Sequence, residues 1–314
     1  MITRARAAGL LVGGAVLSWI RVPVRAQTMP TIRVAVNPIE PASEPYYAKD
    51  MGFFANAGID ADIQPMPNAG AVAAALVSGA IDIGYLTIDT LALTHQKNIP
   101  LTILAPANEY NSPATLQSMA LIVPANSVVR EAKDLNGKTV AIGSLSGFTR
   151  TAPSVWFEAN GADLSTIKFV EVPFPAMPAA LDASRVDAAW VPEPFLGVAR
   201  KSGRVLGYGA DGISKHFLLA AWSTTPQWAK DHPDLVKRFA AAIRTTAAWA
   251  NSNPSKSGEI LAKYTKIDPG LIATMQRVRY CEQLTAALIQ PLINASAKYN
   301  GFTAFPAQEL LRAP

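Results

Sequence analysis

Apolar and β-branched residues come in short runs along this chain, separated by stretches with helical spacing. Thr31 to Val36 alternates and predicts a first strand. Two prolines, Pro38 and Pro41, break the segment after it, and Ser43, Glu44 and Pro45 then have the residue types that open a helix. That helix is expected to run to Phe54 and stop by Gly58. Ile59 to Gln64 reads as a strand, Ala69 to Val77 as a helix and Ile81 to Leu86 as a strand. Thr87 caps a further helix, with Asp89 in its first turn, and Leu101 to Ala105 is the next strand. Strands alternating with helical patterns imply βαβ units and a largely parallel sheet.

The same order then starts again. Met119 to Val123 is a strand leaving the first set, and Thr139 to Ile142, Ile167 to Val172, Val186 to Val191 and Arg204 to Tyr208 follow as strands. Helices are expected from the Ser144–Gly147 turn through Phe157 and over Met177 to Leu181. Phe217 to Ser223 is a strand-like return crossing. From Pro226 onward the pattern is helical, with Pro233, Pro254 and Pro269 each just inside a helix start.

One stretch occurs twice. Ala74-Ala75-Leu76 leads through a turn to Ile81-Asp82 and a strand ending Tyr85-Leu86. Ala179-Ala180-Leu181 leads likewise to Val186-Asp187 and Trp190-Val191, 105 positions later. Val34-Ala35-Val36 matches Val140-Ala141-Ile142 at nearly the same offset. So long a period predicts two similar α/β lobes, not a solenoid, and a cleft between lobes is a common ligand site. The expected layout is a first lobe over 27–118, a second over 119–218, and a return strand with a helical tail over 219–314 that completes the first. Two hinge strands join the lobes.

Residues 1–26 read as a secretory leader, with Arg4 and Arg6 before the short apolar run Leu10 to Ile20. Removing them takes away four arginines and no acid, so the formal charge of +5 falls to +1. A nucleic-acid surface, which needs a clustered basic stripe, is not indicated. The single cysteine, Cys281, excludes an internal disulfide and a cysteine-based zinc cluster. With no cysteine after the leader, lipid attachment there is not expected. The mature chain is expected to be a soluble, unanchored periplasmic monomer.

Candidate chemistry is sparse. Gly207-Tyr208-Gly209-Ala210-Asp211-Gly212 fits a dinucleotide fingerprint letter for letter, but a strand-like run and not a helix follows it, so it reads as a loop. Gly143-Ser144-Leu145-Ser146-Gly147 lacks the central serine of a nucleophile elbow. It remains a Ser-rich turn between a strand and a helix, where free amides and hydroxyls suit an anion, or simply cap the helix. Trp190-Val191-Pro192-Glu193-Pro194-Phe195 ends a strand with Glu193 held between prolines, at the sheet end where ligands sit in open α/β folds. Trp190 as core filler and Glu193 as a helix-start residue is the competing reading. Tyr85 holds the corresponding place in the first repeat and could sandwich a planar ligand with Trp190. His95, His216 and His232 show no metal spacing and no evident carboxylate partner. No metal, cofactor or catalytic residue is expected.

Four strings in this order resemble the periplasmic solute-binding proteins of ABC importers. The similarity is to the nitrate/sulfonate/taurine-like group that also contains thiamine-precursor pyrimidine binders. The strings are Glu44 to Phe54, Leu76 to Gly84, Lys133 to Ala141 and Val186 to Phe195. The resemblance implies a type II periplasmic binding fold, a separate ATPase chain, an inner-membrane permease as partner and no enzymatic activity. It also implies ligand contacts from Asn37 to Tyr46, Tyr85 to Asp89, Ser144 to Arg150 and Trp190 to Glu193. On that basis the candidate ligand residues are Glu40, Ser43, Tyr46, Tyr85, Thr87, Ser144, Ser146, Gly147, Phe148, Thr149, Arg150, Trp190 and Glu193. A small organic anion, a sulfonate or carboxylate, is the first expectation, with Arg150 as countercharge. A heteroaromatic such as a pyrimidine is the second. A sensor-linked binder and an enzyme on the same fold are the rivals, and the thiamine-pyrimidine synthases of this group use a cysteine-rich motif and a histidine that this chain lacks.

Overall fold

A computed structural model of the chain describes residues 29–113, 118–265 and 267–311. The expected leader and its cleavage site lie outside the described residues. The first elements are β1 (Thr31–Val36), α1 (Glu44–Asp50), α2 (Phe53–Asn56), β2 (Asp60–Pro65), α3 (Ala69–Val77), β3 (Ile83–Thr87), α4 (Ile88–Gln96), β4 (Thr102–Pro106) and β5 (Asn108–Asn111). The second set is β6 (Met119–Pro124), β7 (Thr139–Ile142), α5 (Phe148–Ala159), β8 (Lys168–Glu171), α6 (Met177–Asp182), β9 (Ala188–Pro192), α7 (Phe195–Ala199) and β10 (Gly203–Gly207). The chain returns through β11 (His216–Leu218) and β12 (Ala220–Thr224). It ends in α8 (Pro226–Asp231), α9 (Pro233–Ser252), α10 (Pro254–Thr265), α11 (Pro269–Thr274), β13 (Arg279–Tyr280), α12 (Ala286–Asn300) and α13 (Gln308–Leu311).

Two mixed five-stranded sheets result, ordered β2-β1-β3-β12-β4 and β10-β6-β9-β7-β8. Their parallel halves superpose in register. Val34 and Ala35 of β1 face Ile83 and Gly84 of β3, and Val140 and Ala141 of β7 face Ala188 and Ala189 of β9. Val34 faces Ile63 on its other side, as Val140 faces Phe169. The sequence repeat is therefore a repeat of strand pairing. In β9, Ala188 and Trp190 join one core while Ala189 and Val191 join another, the period-two consequence of a strand buried on both faces.

The aspartate of each repeat holds this register. Asp82 Oδ2 accepts from the Arg33 amide at 2.7 Å, and Asp187 Oδ2 accepts from the Thr139 amide at 2.9 Å. The Asp82 amide returns a bond to the Arg33 carbonyl and the Asp187 amide to that of Thr139, both at 2.9 Å. Asp82 also takes the Arg33 guanidinium at 2.6 Å, whereas Lys138 stands 3.8 Å from Asp187. The turn before each aspartate passes through the left-handed region at Gly79 (φ 71°) and at Ser184 (φ 53°). Glycine adopts that region without steric cost, and serine does not.

The crossing between lobes is more than two strands. β5 and β11 pair antiparallel, and β13 from the tail adds a third strand on the other edge of β5. In the tail, α9 packs on α1, α2 and β4, and α13 packs on α4 and β4. α12 reaches both α4 and α5, so the tail straddles the lobes at that point. The glycine-rich string at 207–212 is the end of β10 and a short 3₁₀ turn. A Cβ at Gly207 would lie 2.2 Å from Trp156 and one at Gly209 would lie 2.3 Å from the Ala152 carbonyl. These glycines let α5 approach closely.

Burial works against ionised Asp82, but its bonds to Arg33 outweigh that and hold the carboxyl below its ordinary range. Asp82→Ala should therefore cost about 2 kcal/mol in denaturant unfolding near neutral pH. The gap to the wild type should close as pH falls below about 4, through the lowered carboxyl value. Ser184→Gly should raise stability by about 1 kcal/mol in the same measurement, by removing a left-handed serine.

Candidate functional site

In both sheets the parallel strands end toward the junction between the lobes, and each is followed by a loop or a helix start. α4 begins directly after β3, and α5 begins after β7 and the Ser-rich turn. The two starts meet. A Cβ at Gly147 would lie 3.5 Å from Asp89 Oδ2 and 3.7 Å from Thr90 Oγ1. Gly147 has φ 76° and ψ −160°, outside the range that side chains favour, which explains a glycine at this contact. The Ser144 amide donates to Thr149 Oγ1, and the Thr149 hydroxyl donates to the Ser144 carbonyl, both at 3.0 Å. The Ser146 amide reaches Ser144 Oγ at 3.5 Å. Gly147 donates its amide to Asn300 Oδ1 of α12 at 2.7 Å. The first amides of a helix lack intrahelical acceptors and carry its positive dipole end. Two such ends, one from each lobe, converge here.

Buried carboxylates gather on the same side of the first sheet. Glu40 is ion-paired with Arg277 and accepts from the Val278 amide at 3.3 Å. Burial still pushes its carboxyl above the ordinary range, against the opposing pull of Arg277. Glu44 accepts from the Trp222 indole at 2.7 Å through Oε2, while its Oε1 is buried with no partner. Burial raises it well above the ordinary value, offset only by that indole bond. Asp89 accepts from the Thr90 amide at 2.9 Å through Oδ1, and its Oδ2 has no partner. Burial pushes it up to about 6, with the Thr87 hydroxyl and local amides opposing. In the second lobe Glu193 Oε2 accepts from the Gly197 amide at 2.9 Å, and Oε1 stands 3.9 Å from Arg200. Burial raises Glu193 as well.

The remaining expected residues have definite places. Ser43 is buried and donates to the Ile39 carbonyl at 3.2 Å. It precedes α1 without capping it through its side chain. Tyr46 stacks on Tyr264 with centroids 4.8 Å apart. Tyr85 donates to Asn108 Oδ1 at 2.7 Å, and its ring meets Trp222 edge-on. Trp190 is 1% exposed and packs beside Gly209. Thr87 precedes α4, its hydroxyl 2.8 Å from that of Thr90. Phe148 is buried against Phe217. Arg150 lies over the Phe169 ring at 3.8 Å, and burial lowers the basicity of its guanidinium. The histidines do have carboxylate partners: His95 meets Glu309 and His216 meets Glu109, each at 3.0 Å. These partners lie 214 and 107 positions away, beyond any local pattern.

Sequence patterns did not single out Arg277, Trp222 or Asn300. Each comes from the return strand or the tail and reaches the junction only through tertiary folding. Asn300 is the most connected of them. Its Nδ2 donates to Thr151 Oγ1 at 2.9 Å and to Ser296 Oγ at 2.8 Å, besides holding the Gly147 amide through Oδ1.

Residues 43–257 match the model of the family described as NMT1/THI5 like. The taurine-binding periplasmic protein of Escherichia coli (strain K12) is 25% identical over 234 residues, covering 71% of each chain. Among solved structures, the alkanesulfonate-binding protein SsuA from Xanthomonas axonopodis pv. citri, bound to MOPS, aligns with a TM-score of 0.73 at 16% identity. That alignment covers 90% of this chain and 98% of the other. The desulfurization enzyme DSZB aligns at 0.66 with 14% identity, over 90% and 96% of the two chains. The fold is that of the periplasmic binding proteins.

Because folding raises the Asp89 carboxyl from its ordinary value to about 6, the folded chain binds the proton more tightly than the unfolded one. Stability of the unliganded protein should fall as pH rises from about 4 through about 6, by roughly 3 kcal/mol at most from this group. Asp89→Asn should flatten that part of the curve, read by denaturant unfolding at a series of pH values.

Proposed function

We propose that this chain, which belongs to the NMT1/THI5-like family, is the extracytoplasmic solute-binding component of an ABC importer. It captures a small organic acid, a sulfonate or carboxylate, by closure of its lobes and presents it to a membrane permease. The observation that carries this reading is the meeting of two helix N-termini from different lobes at Gly147 and Thr90. An acid group placed there gains from both dipoles only when the lobes are together, so it favours the closed arrangement by its differential affinity. The half-buried Arg150 guanidinium, at the start of α5, adds positive charge on the second-lobe side. The taurine-binding relative supports the same class of ligand and a periplasmic location.

A binding role is favoured over catalysis by the state of the reactive groups. Burial pushes the Cys281 thiol up to about 12, and its Sγ donates to the Gln283 carbonyl at 3.1 Å, so it is not an activated nucleophile. His95 and His216 are tied to carboxylates at a helix end and at the hinge sheet. The unpartnered oxygens of Glu44 and Asp89 favour a solute that also offers N–H donors, the feature a pyrimidine would share.

The test is a thermal-shift and small-angle scattering screen of the purified mature chain with alkanesulfonates, taurine, aromatic acids and aminopyrimidines. A bound acid at about 100 times its Kd should add about 2.7 kcal/mol of stability. It should also shrink the radius of gyration. Turnover of any of these compounds by the pure protein would overturn the reading.

A further inference from the structure

The turn that opens α5 has no cap of its own. α3, α8, α11 and α12 are each capped by the side chain before them, Asn68, Thr225, Asp268 and Thr285 in turn. α5 opens on Gly147, which has no side chain to offer. Glycine also has the most backbone freedom to lose, so an unheld glycine here would let the turn swing.

The restraint comes from the far end of the chain. Asn300, the last residue of α12, accepts the Gly147 amide through Oδ1 at 2.7 Å. Its Nδ2 donates to Thr151 Oγ1 at 2.9 Å, and that hydroxyl donates in turn to the Gly147 carbonyl at 3.1 Å. The bonds form a closed ring, which needs one acceptor and one donor on the same short side chain, as asparagine has. Thr151 and Ser296, both bonded to Asn300 Nδ2, are fully buried, so water is not at hand to replace a lost member. α12 is also seated on β11 of the hinge sheet and on α4. The turn is thereby braced against the hinge as well as against its own lobe.

This ring decides which amides a solute can use. The Arg150 and Thr151 amides both end on the Gly147 carbonyl at 3.0 Å. The Gly147 amide is spent on Asn300. The amides of Phe148 and Thr149 then have no acceptor among the described residues. A trans peptide points its N–H opposite its carbonyl, so holding the Gly147 carbonyl aims the Phe148 amide outward from the ring.

We propose that Asn300 is a positioning residue for the solute: it locks the Gly147 peptide so that the Phe148 and Thr149 amides stand ready as the acid-binding pair. This rests on the acid-binding reading above and assigns its donors. Without Asn300 the solute itself has to order the turn, and affinity falls by that cost.

Calorimetric titration of the full mature chain, with ethanesulfonate, taurine and benzoate as probes, tests this. Asn300→Ala should weaken the tightest-binding of them at least about tenfold, the scale of one or two hydrogen bonds. Glu158→Ala breaks another polar tie between α12 and α5, to Lys298 and Tyr299, at the other end of α5. It should hold affinity within about twofold of the wild type. Amide hydrogen exchange, read by nuclear magnetic resonance on the wild type, is the second measurement. The Gly147 amide should exchange slowly with and without the probe, and those of Phe148 and Thr149 should slow only when it is bound. That comparison stands even if Asn300→Ala does not fold. Unchanged affinity in Asn300→Ala, an equal loss in Glu158→Ala, or a Gly147 amide protected only by the probe would overturn the role of Asn300 and leave acid binding intact. Absence of wild-type binding to all three probes would overturn both readings.

Discussion

The two aspartates that close on β1 in one lobe and on β7 in the other are the constraint on which the architecture depends. Asp82 and Asp187 each take a backbone amide one residue before the paired segment and return their own amide to the same residue. That reciprocal pair fixes where β3 lies along β1 and β9 along β7. A shift of one residue would turn every side chain of these strands to the other face. The loops that follow the strands are displaced with them, so the position of Thr87, Asp89, Ser144 and Gly147 at the junction is set at the far end of the sheet. The latch is stronger in the first lobe, where Arg33 adds a bidentate guanidinium and the aspartate is better buried. In the second lobe the lysine is farther away and both partners are more exposed, so the amide bond carries most of the effect.

Against this well-satisfied framework the junction is conspicuously unsatisfied. Glu44, Asp89 and Glu193 each retain a buried oxygen without a hydrogen-bond partner. Such local costs are offset by stability elsewhere in the molecule. Here the offset is visible in the aromatic packing of the first lobe. Tyr85 meets Trp222, Trp222 meets Phe239, and Phe239 stacks on Phe54.

How much of this the sequence disclosed follows from the range of the interactions. Period-two runs, helix-start prolines and the offset of 105 are local or repetitive signals, and they lead directly to the strands, helices and paired lobes. The role of the repeated aspartate was out of reach, because a strand-end acid pairing with an amide 49 positions earlier has no local mark. The hinge was legible as two crossings but not as a three-stranded sheet, since β13 is two residues long and arrives from the tail. Glu40 is an acid in a proline-flanked loop, and nothing near it in the sequence offers a countercharge. Arg277, 237 positions away, supplies it by ion-pairing with Glu40. The glycines at 207 and 209 resembled a nucleotide motif only because both uses need a backbone without a Cβ. In this chain the close neighbour is α5.

The tail is more than a cover for the first lobe, and α12 shows why. Its C-terminal residues grip the second lobe: Asn300 holds the Gly147 amide and the Thr151 hydroxyl, and Lys298 meets Glu158 at 2.6 Å. The segment that follows grips the first, through Phe305 stacked on His95 and Glu309 bonded to it. On the opposite side, Leu271 of α11 occupies the space that a side chain at residue 197 would fill, with a Cβ there 2.6 Å from Leu271 Cδ1. The contacts just named are polar side-chain bonds, one knob in a glycine notch and one glycine against a carboxylate, set beside an apolar cluster that runs through both lobes. Each is worth a kcal/mol or so in water, the same order as the differential affinity a small solute can supply. Polar contacts of this strength are the ones that a change of neighbour at the junction can rebalance.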